Sequence, residues 1–115
     1  MTNKSIFGLN ENIAGALAYV LSFVSGIIIL IMERNNKFVR FHALQSTLWG
    51  LFVAITTWVV NLFASIPLIG IIFSPIAWLV GIVGFLSFVF LAFKAFTGDT
   101  FKLPIIGDIA WNQIN

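Results

Sequence analysis

Long apolar runs, separated by short polar or turn-forming stretches, set the pattern of this chain. Three of them, at residues 12–32, 43–66 and 75–97, are long and apolar. Each can cross a hydrocarbon core of about 30 Å, which takes about 20 helical residues. Backbone groups in lipid must be satisfied internally, and these runs lack the alternation of barrel strands. Each run is therefore predicted to be a transmembrane helix.

Residues that favour helix ends mark the limits of these runs. Asn10 is the candidate N-cap of the first helix, and the second is predicted to start near Asn36. Ser74 is the candidate N-cap of the third helix, with Pro75 at its first position and Gly98 just past its end.

The composition supports a membrane protein. Of the 115 residues, 60% are hydrophobic and 9% are charged, whereas a soluble domain carries about 25% charged residues. The predicted fold is an all-α integral membrane bundle, a single domain over residues 1–115. The first run is too long for a cleaved signal peptide and is expected to stay in the protein.

The basic residues predict an orientation. With three spans, the N-terminus and the second connection share one side and hold a single lysine, Lys4. The first connection and the C-terminal end share the other side and hold Arg34, Lys37, Arg40, Lys94 and Lys102. Because Lys and Arg accumulate in cytoplasmic loops, we expect a multi-pass cell-membrane protein with its N-terminus outside. The first loop and the C-terminus are then cytoplasmic, and the second helix extends into the cytoplasmic interface. Residues 99–115 are expected to form a short amphipathic tail in that interface.

Small and polar residues share one face of each predicted helix, where they would let helices pack closely. These faces either meet in a tight bundle or line a polar path in an oligomer. The candidate interface or pathway positions are Ser22, Ser25, Gly50, Thr57, Asn61, Gly81 and Gly84. No ionisable residue lies between Ala43 and Phe93, which disfavours a pump or a coupled transporter.

The stretch ERNNKFVRFHALQS, residues 33–46, carries a cluster of charges and the only histidine, His42. In one interpretation it is a cytoplasmic anchor, with Lys37 and Arg40 at lipid headgroups and a buried, hydrogen-bonded His42. In the other it is a recognition or gating site in which His42 titrates near neutral pH. One histidine, no cysteine and no close carboxylate pair disfavour a metal site. Nucleophilic catalysis also lacks its residues, so we expect no enzyme activity and no cofactor.

Two stretches resemble a known family. NKFVRFHALQS at 36–46 and KLPIIGDIA at 102–110 resemble small bacterial and archaeal membrane proteins that are grouped with the channel subunit of the chloroplast inner-envelope import translocon. The resemblance implies an oligomeric helical protein that moves polypeptides across or into a bilayer. The positions matching its signature are Arg40, Phe41, His42, Gln45, Ser46, Pro104, Gly107 and Asp108.

Three non-enzymatic functions follow as hypotheses. The first is a translocation or insertion component that assembles through small-residue faces. The second is a small homo-oligomeric ion or solute channel lined by Ser46, Thr57 and Asn61. The third is an accessory or scaffold subunit with no pathway of its own. The expected partners are the lipid bilayer and either further copies or another membrane protein, and no basic arm or aromatic platform indicates nucleic acid.

Overall fold

The computed structural model describes residues 8–114, which form helices joined by short connections. The helices are α1 (Glu11–Val20), α2 (Phe23–Met32), α3 (Lys37–Ala64), α4 (Ile69–Phe96) and α5 (Ile106–Ile114). The all-helical prediction is confirmed over this range. Among the helices of residues 8–114, only α3 and α4, with 28 residues each, are long and apolar enough to cross a membrane. Each is about 42 Å long at 1.5 Å per residue.

The predicted first span is interrupted at Leu21 and Ser22. Ser22 has a φ of +59°, which turns the backbone out of the helical path. The Ser25 hydroxyl stabilises the break, because it accepts from the Leu21 N–H at 3.0 Å and donates to the Ala18 carbonyl at 2.9 Å. The prediction of a continuous helix over residues 12–32 is therefore wrong. The Ser25 hydroxyl bonds backbone groups that a continuous helix would pair with one another.

The two halves of this segment run antiparallel beside the first half of α3, and we call α1 and α2 together the short hairpin. At its beginning, a Glu11 carboxylate oxygen accepts from the Asn36 side-chain amide at 2.9 Å. At its end, the Glu33 carboxylate accepts from the Asn36 backbone N–H at 3.1 Å. The short hairpin thus starts and finishes beside the N-cap of α3. The described part of the N-terminal region lies at the same end as the first connection, which corrects the expected placement on opposite sides.

The tip of the short hairpin packs against Gly50. A Cβ added at Gly50 would lie 2.6 Å from the Phe23 backbone nitrogen, so the close approach needs glycine there. Gly50 follows Lys37, the first residue of α3, by 13 positions (50 − 37), or about 20 Å. The short hairpin therefore reaches about halfway along α3.

Buried side chains are concentrated at one end of the molecule. Those of α3 all lie within Val39–Gly50, and those of α4 are Gly84, Leu91 and Ala95. We call residues 8–50 and 84–114 the packed end, and residues 51–83 the slender end. At the slender end the described chain consists of the outer halves of α3 and α4, which contact each other, as in the stacked rings of Phe63 and Phe73 at 5.2 Å.

The helix ends agree with the prediction except at α4. The Asn10 side chain accepts from the Asn12 N–H, Asn36 caps α3, and Gly98 follows the end of α4 with a φ of +86°. Helix α4, however, begins at Ile69, so Ser74 is not its N-cap and Pro75 lies inside it. The earlier start is stabilised by a tight turn, in which the Gly70 N–H donates to the Ile66 carbonyl at 2.7 Å.

The C-terminal tail continues into α5, whose Trp111 ring meets the Phe41 ring of α3 edge-on at 5.7 Å. All charged residues of the described range lie at the packed end: Glu11, Glu33, Arg34, Lys37, Arg40, Lys94, Asp99, Lys102 and Asp108. The slender end, residues 51–83, contains none. The molecule is therefore polarised in charge as well as in packing.

Candidate functional site

Three signature residues of α3 share one buried face. His42, Gln45 and Ser46 are spaced at i, i+3 and i+4, which places them side by side on a helix. All three are 0% exposed. Together with Tyr19 of α1 they form a buried polar group, hydrogen-bonded within itself or to backbone atoms, that we call the polar clasp.

His42 joins α1 to the C-terminal tail. The Tyr19 hydroxyl lies 2.7 Å from Nδ1 of His42, and Nε2 lies 2.9 Å from the Asp99 carbonyl oxygen. Because a carbonyl can only accept, Nε2 carries the proton and Nδ1 accepts from the tyrosine. The hydrogen-bond pattern is that of a neutral imidazole, which the edge-on rings of Phe38 and Phe41 flank at 4.7 and 5.0 Å.

Both the nitrogen and the oxygen of the Gln45 side-chain amide form hydrogen bonds. Its nitrogen donates to the Tyr19 hydroxyl at 2.9 Å and to the Phe101 carbonyl at 3.0 Å. Its oxygen accepts from the Leu103 N–H at 2.8 Å. Residues 99–103 have no helix of their own, so α3 side chains supply partners that regular secondary structure would otherwise provide.

Ser46 binds the tip of the short hairpin. Its hydroxyl donates to the Ser22 carbonyl at 2.9 Å, at the residue where the backbone turns. One turn of α3 therefore binds two segments that are remote in sequence, the hairpin tip and the C-terminal tail. The polar clasp fixes both against the long helix.

Arg40 lies beside the polar clasp and contacts the connection between α2 and α3. Its guanidinium donates to the backbone carbonyls of Glu33 at 2.6 Å and Leu30 at 3.2 Å. These carbonyls belong to the end of α2, where a cation is favoured by unpaired acceptors and the helix dipole. Arg40 was expected to meet lipid headgroups, but its described contacts close the short hairpin. Lys37 is exposed, as a headgroup contact requires.

The tail part of the signature positions α5. The Ile106 N–H donates to the Pro104 carbonyl at 2.7 Å. Gly107 packs on Lys102 so closely that an added Cβ would lie 2.6 Å from its Cα. Asp108 faces the Lys102 ammonium at 3.8 Å but is 72% exposed, so this pair contributes little.

The structure brings together some of the predicted interface positions and separates others. Ser22, Ser25 and Gly50 meet at the hairpin tip, and Gly84 is buried near Val53. Three positions lie at the slender end instead, namely Thr57, Asn61 and Gly81.

The only amide deep in the second predicted span is satisfied locally. Asn61 donates to the Thr57 carbonyl of its own helix at 2.7 Å. It lines an open groove of about 410 Å³ with Ala77 and Gly81, and a Cβ at Gly81 would meet nothing within 4 Å. Within one chain these residues therefore form part of an open surface.

Sequence reasoning missed Tyr19 and the backbone of residues 99–103. Tyr19 is the only tyrosine of the chain and lies inside an apolar run. A buried tyrosine hydroxyl usually needs a hydrogen-bond partner, so a tyrosine in an apolar run could have indicated a buried polar contact. The tail backbone offered no signal, because the groups that bind His42 and Gln45 are main-chain atoms.

The chemistry of the polar clasp is that of attachment. Its side chains are buried and bonded to one another or to backbone groups, so it joins three segments of the chain through hydrogen bonds. Across residues 8–114 no group of three or more His, Cys, Asp or Glu residues could hold a metal ion.

The model of one protein family matches residues 6–110, and its description is the magnetosome magnetite crystal formation protein family. A UPF0132 membrane protein of Archaeoglobus fulgidus is 44% identical over 107 residues, covering 92% of this chain and 97% of the relative. A UPF0132 membrane protein of Methanocaldococcus jannaschii is 40% identical over 111 residues, covering 93% and 91%. No solved structure matches. These descriptions support a membrane protein family and do not mention the chloroplast translocon, so the resemblance is confirmed only as far as that family.

Proposed function

The chain belongs to the magnetosome magnetite crystal formation protein family, and from this premise we propose that it is a non-enzymatic scaffold of the membrane, with two full spans and a short hairpin that enters and leaves on one side. The observation that carries the proposal is the polar clasp. It fixes the hairpin tip and the tail against α3 and fills the packed end with satisfied hydrogen bonds. A rigid packed interior suits a scaffold better than a conduit.

The charge distribution supports a cytoplasmic packed end. Lys94 and Lys102 lie there with the three basic residues of the first connection, while residues 51–83 are uncharged. Lys4 lies outside the described residues. The basic residues of the described range therefore all lie at one end of the molecule, as expected of segments on the cytoplasmic side.

Thiol labelling tests the topology. The chain has no cysteine, so a single introduced cysteine reports alone. Ser5→Cys, Asn35→Cys and Gln113→Cys should react with a membrane-impermeant maleimide only from the cytoplasmic side, and Ser65→Cys only from the outside. Three full spans would instead place positions 5 and 65 on the same side, and that result would overturn the proposal.

A homo-oligomeric channel is the second candidate, because Asn61, Ala77 and Gly81 leave a groove open at the slender end. Copies meeting at this groove could enclose a path. Currents through planar bilayers that Asn61→Leu abolishes would favour the channel, and currents unaffected by it would count against this pathway. Magnetite, which the family's description names, has no role in the scaffold proposal, because that proposal is based on membrane geometry.

A further inference from the structure

The cross-section of the molecule differs between its two ends. Apart from α5, which packs on α3 at Phe41, four helical segments lie side by side at the packed end, namely α1, α2 and the adjoining halves of α3 and α4. Two lie side by side at the slender end. A helix is about 10 Å wide, so each adds roughly 80 Å² to the cross-section and the ends differ by about 160 Å².

The short hairpin fits within one leaflet. The uncharged stretch of α3 starts at Ala43, and the tip packs at Gly50, seven positions later (50 − 43). That places the tip about 10 Å into the hydrocarbon, while one leaflet contributes about 15 Å of the core.

The outer face of the hairpin is suited to acyl chains. Large apolar side chains are exposed on the short hairpin, among them Val20 at 63%, Leu21 at 64% and Ile31 at 66%. Below the tip, a groove of about 500 Å³ opens between Ser22 and the α4 residues Phe85 and Phe88. Beyond it the two-helix slender end continues alone, so lipid of the opposite leaflet can occupy the space that the hairpin leaves.

We propose that the protein acts as a one-leaflet wedge, which favours membrane surfaces that are convex on the side of its packed end. The short hairpin adds area to one leaflet only, and a convex surface offers that leaflet more area per protein than a flat one does. With the packed end cytoplasmic, the favoured sites are membranes that bulge into the cell. The proposal rests on the topology proposed above.

Membrane tethers pulled from giant vesicles test the wedge. The full-length protein is reconstituted in phosphatidylcholine with phosphatidylglycerol, and an impermeant dye labels cysteines from outside. Gln113→Cys then marks only molecules whose packed end faces out, and Ser65→Cys marks only the opposite orientation. Both are surface positions of the same fold, so each variant is the matched control of the other.

The wedge predicts opposite sorting of the two populations. Relative to a lipid dye, the Gln113 label should be enriched in the tether, increasingly as the tether narrows, and the Ser65 label should be depleted. Equal ratios near one, the reverse order, or a shift of both labels in the same direction would overturn the proposal. If thiol labelling agrees with the topology but the sorting is absent, the wedge alone is refuted. If positions 5 and 65 are labelled from the same side, the topology and the wedge are both refuted.

Discussion

Replacing Gln45 by leucine should release the C-terminal tail from α3. The leucine fills a similar space but removes all three hydrogen bonds of the amide, to Tyr19, Phe101 and Leu103. A side-chain hydrogen bond in a membrane protein contributes about 0.6 kcal/mol, which sets a lower limit of about 2 kcal/mol for three. The Phe101 carbonyl and the Leu103 N–H are partly buried, so leaving them unpaired adds up to about 1 kcal/mol each, the lower end of the usual penalty, and we expect a total loss of about 2 to 4 kcal/mol.

Hydrogen exchange measures this loss where it occurs. In the parent protein the Leu103 N–H is bonded to the Gln45 oxygen, so it exchanges only when the tail detaches. A loss of 2 kcal/mol should accelerate exchange in a peptide covering residues 99–104 by about 30-fold. The matched control is Asn61→Leu, which also replaces a side-chain amide by leucine. Here, however, the side chain is exposed and bonded within its own helix. The reasoning is refuted if Gln45→Leu leaves the exchange rate of the tail unchanged, or if both variants accelerate it equally.

Three further predictions concern the same end of the molecule. His42→Leu, which loses the bonds to Tyr19 and Asp99, should destabilise by about 1–3 kcal/mol in detergent unfolding, whereas a simple cytoplasmic anchor would tolerate the change. Gly50→Leu should destabilise the protein by about 1–3 kcal/mol, because a Cβ there would meet Phe23 and Ser22. The control is Gly81→Leu, where a Cβ meets nothing, and it should change the stability by no more than about 0.5 kcal/mol. Equal melting temperatures of the two variants would contradict the packed hairpin tip. Ser22→Gly keeps the carbonyl that Ser46 binds and relieves a positive φ, so it should raise stability by up to about 1 kcal/mol, while a lower melting temperature would indicate that the serine side chain contributes more than the strain costs.

The long second helix was predictable because its signals are local. Asn36 provides a cap within three residues of the N–H it binds, and the uncharged run that follows is continuous. The end of α4 at Gly98 was predictable for the same reason.

The break in the first apolar run was not predictable from local pattern. No proline or glycine lies at Leu21 or Ser22, and the hydrophobic run continues through both. The turn depends partly on Ser46, 24 residues further along the chain. The side chains of His42 and Gln45 were identified, but their partners are the Tyr19 hydroxyl, 23 and 26 residues away, and backbone atoms 56 to 58 residues away. A residue pattern carries little information about such main-chain groups.

The uncharged slender end has a consequence for biogenesis. In the topology proposed above, the connection at residues 65–68 and the adjoining helix ends are the part that crosses the bilayer, and they contain no charged residue. A charged side chain at the centre of a spanning helix adds about 2.5–3.5 kcal/mol to the cost of insertion. Helices α3 and α4 can therefore enter the membrane as a preformed pair, with no charge to move against the membrane potential. Insertion should proceed in cells whose potential has been collapsed.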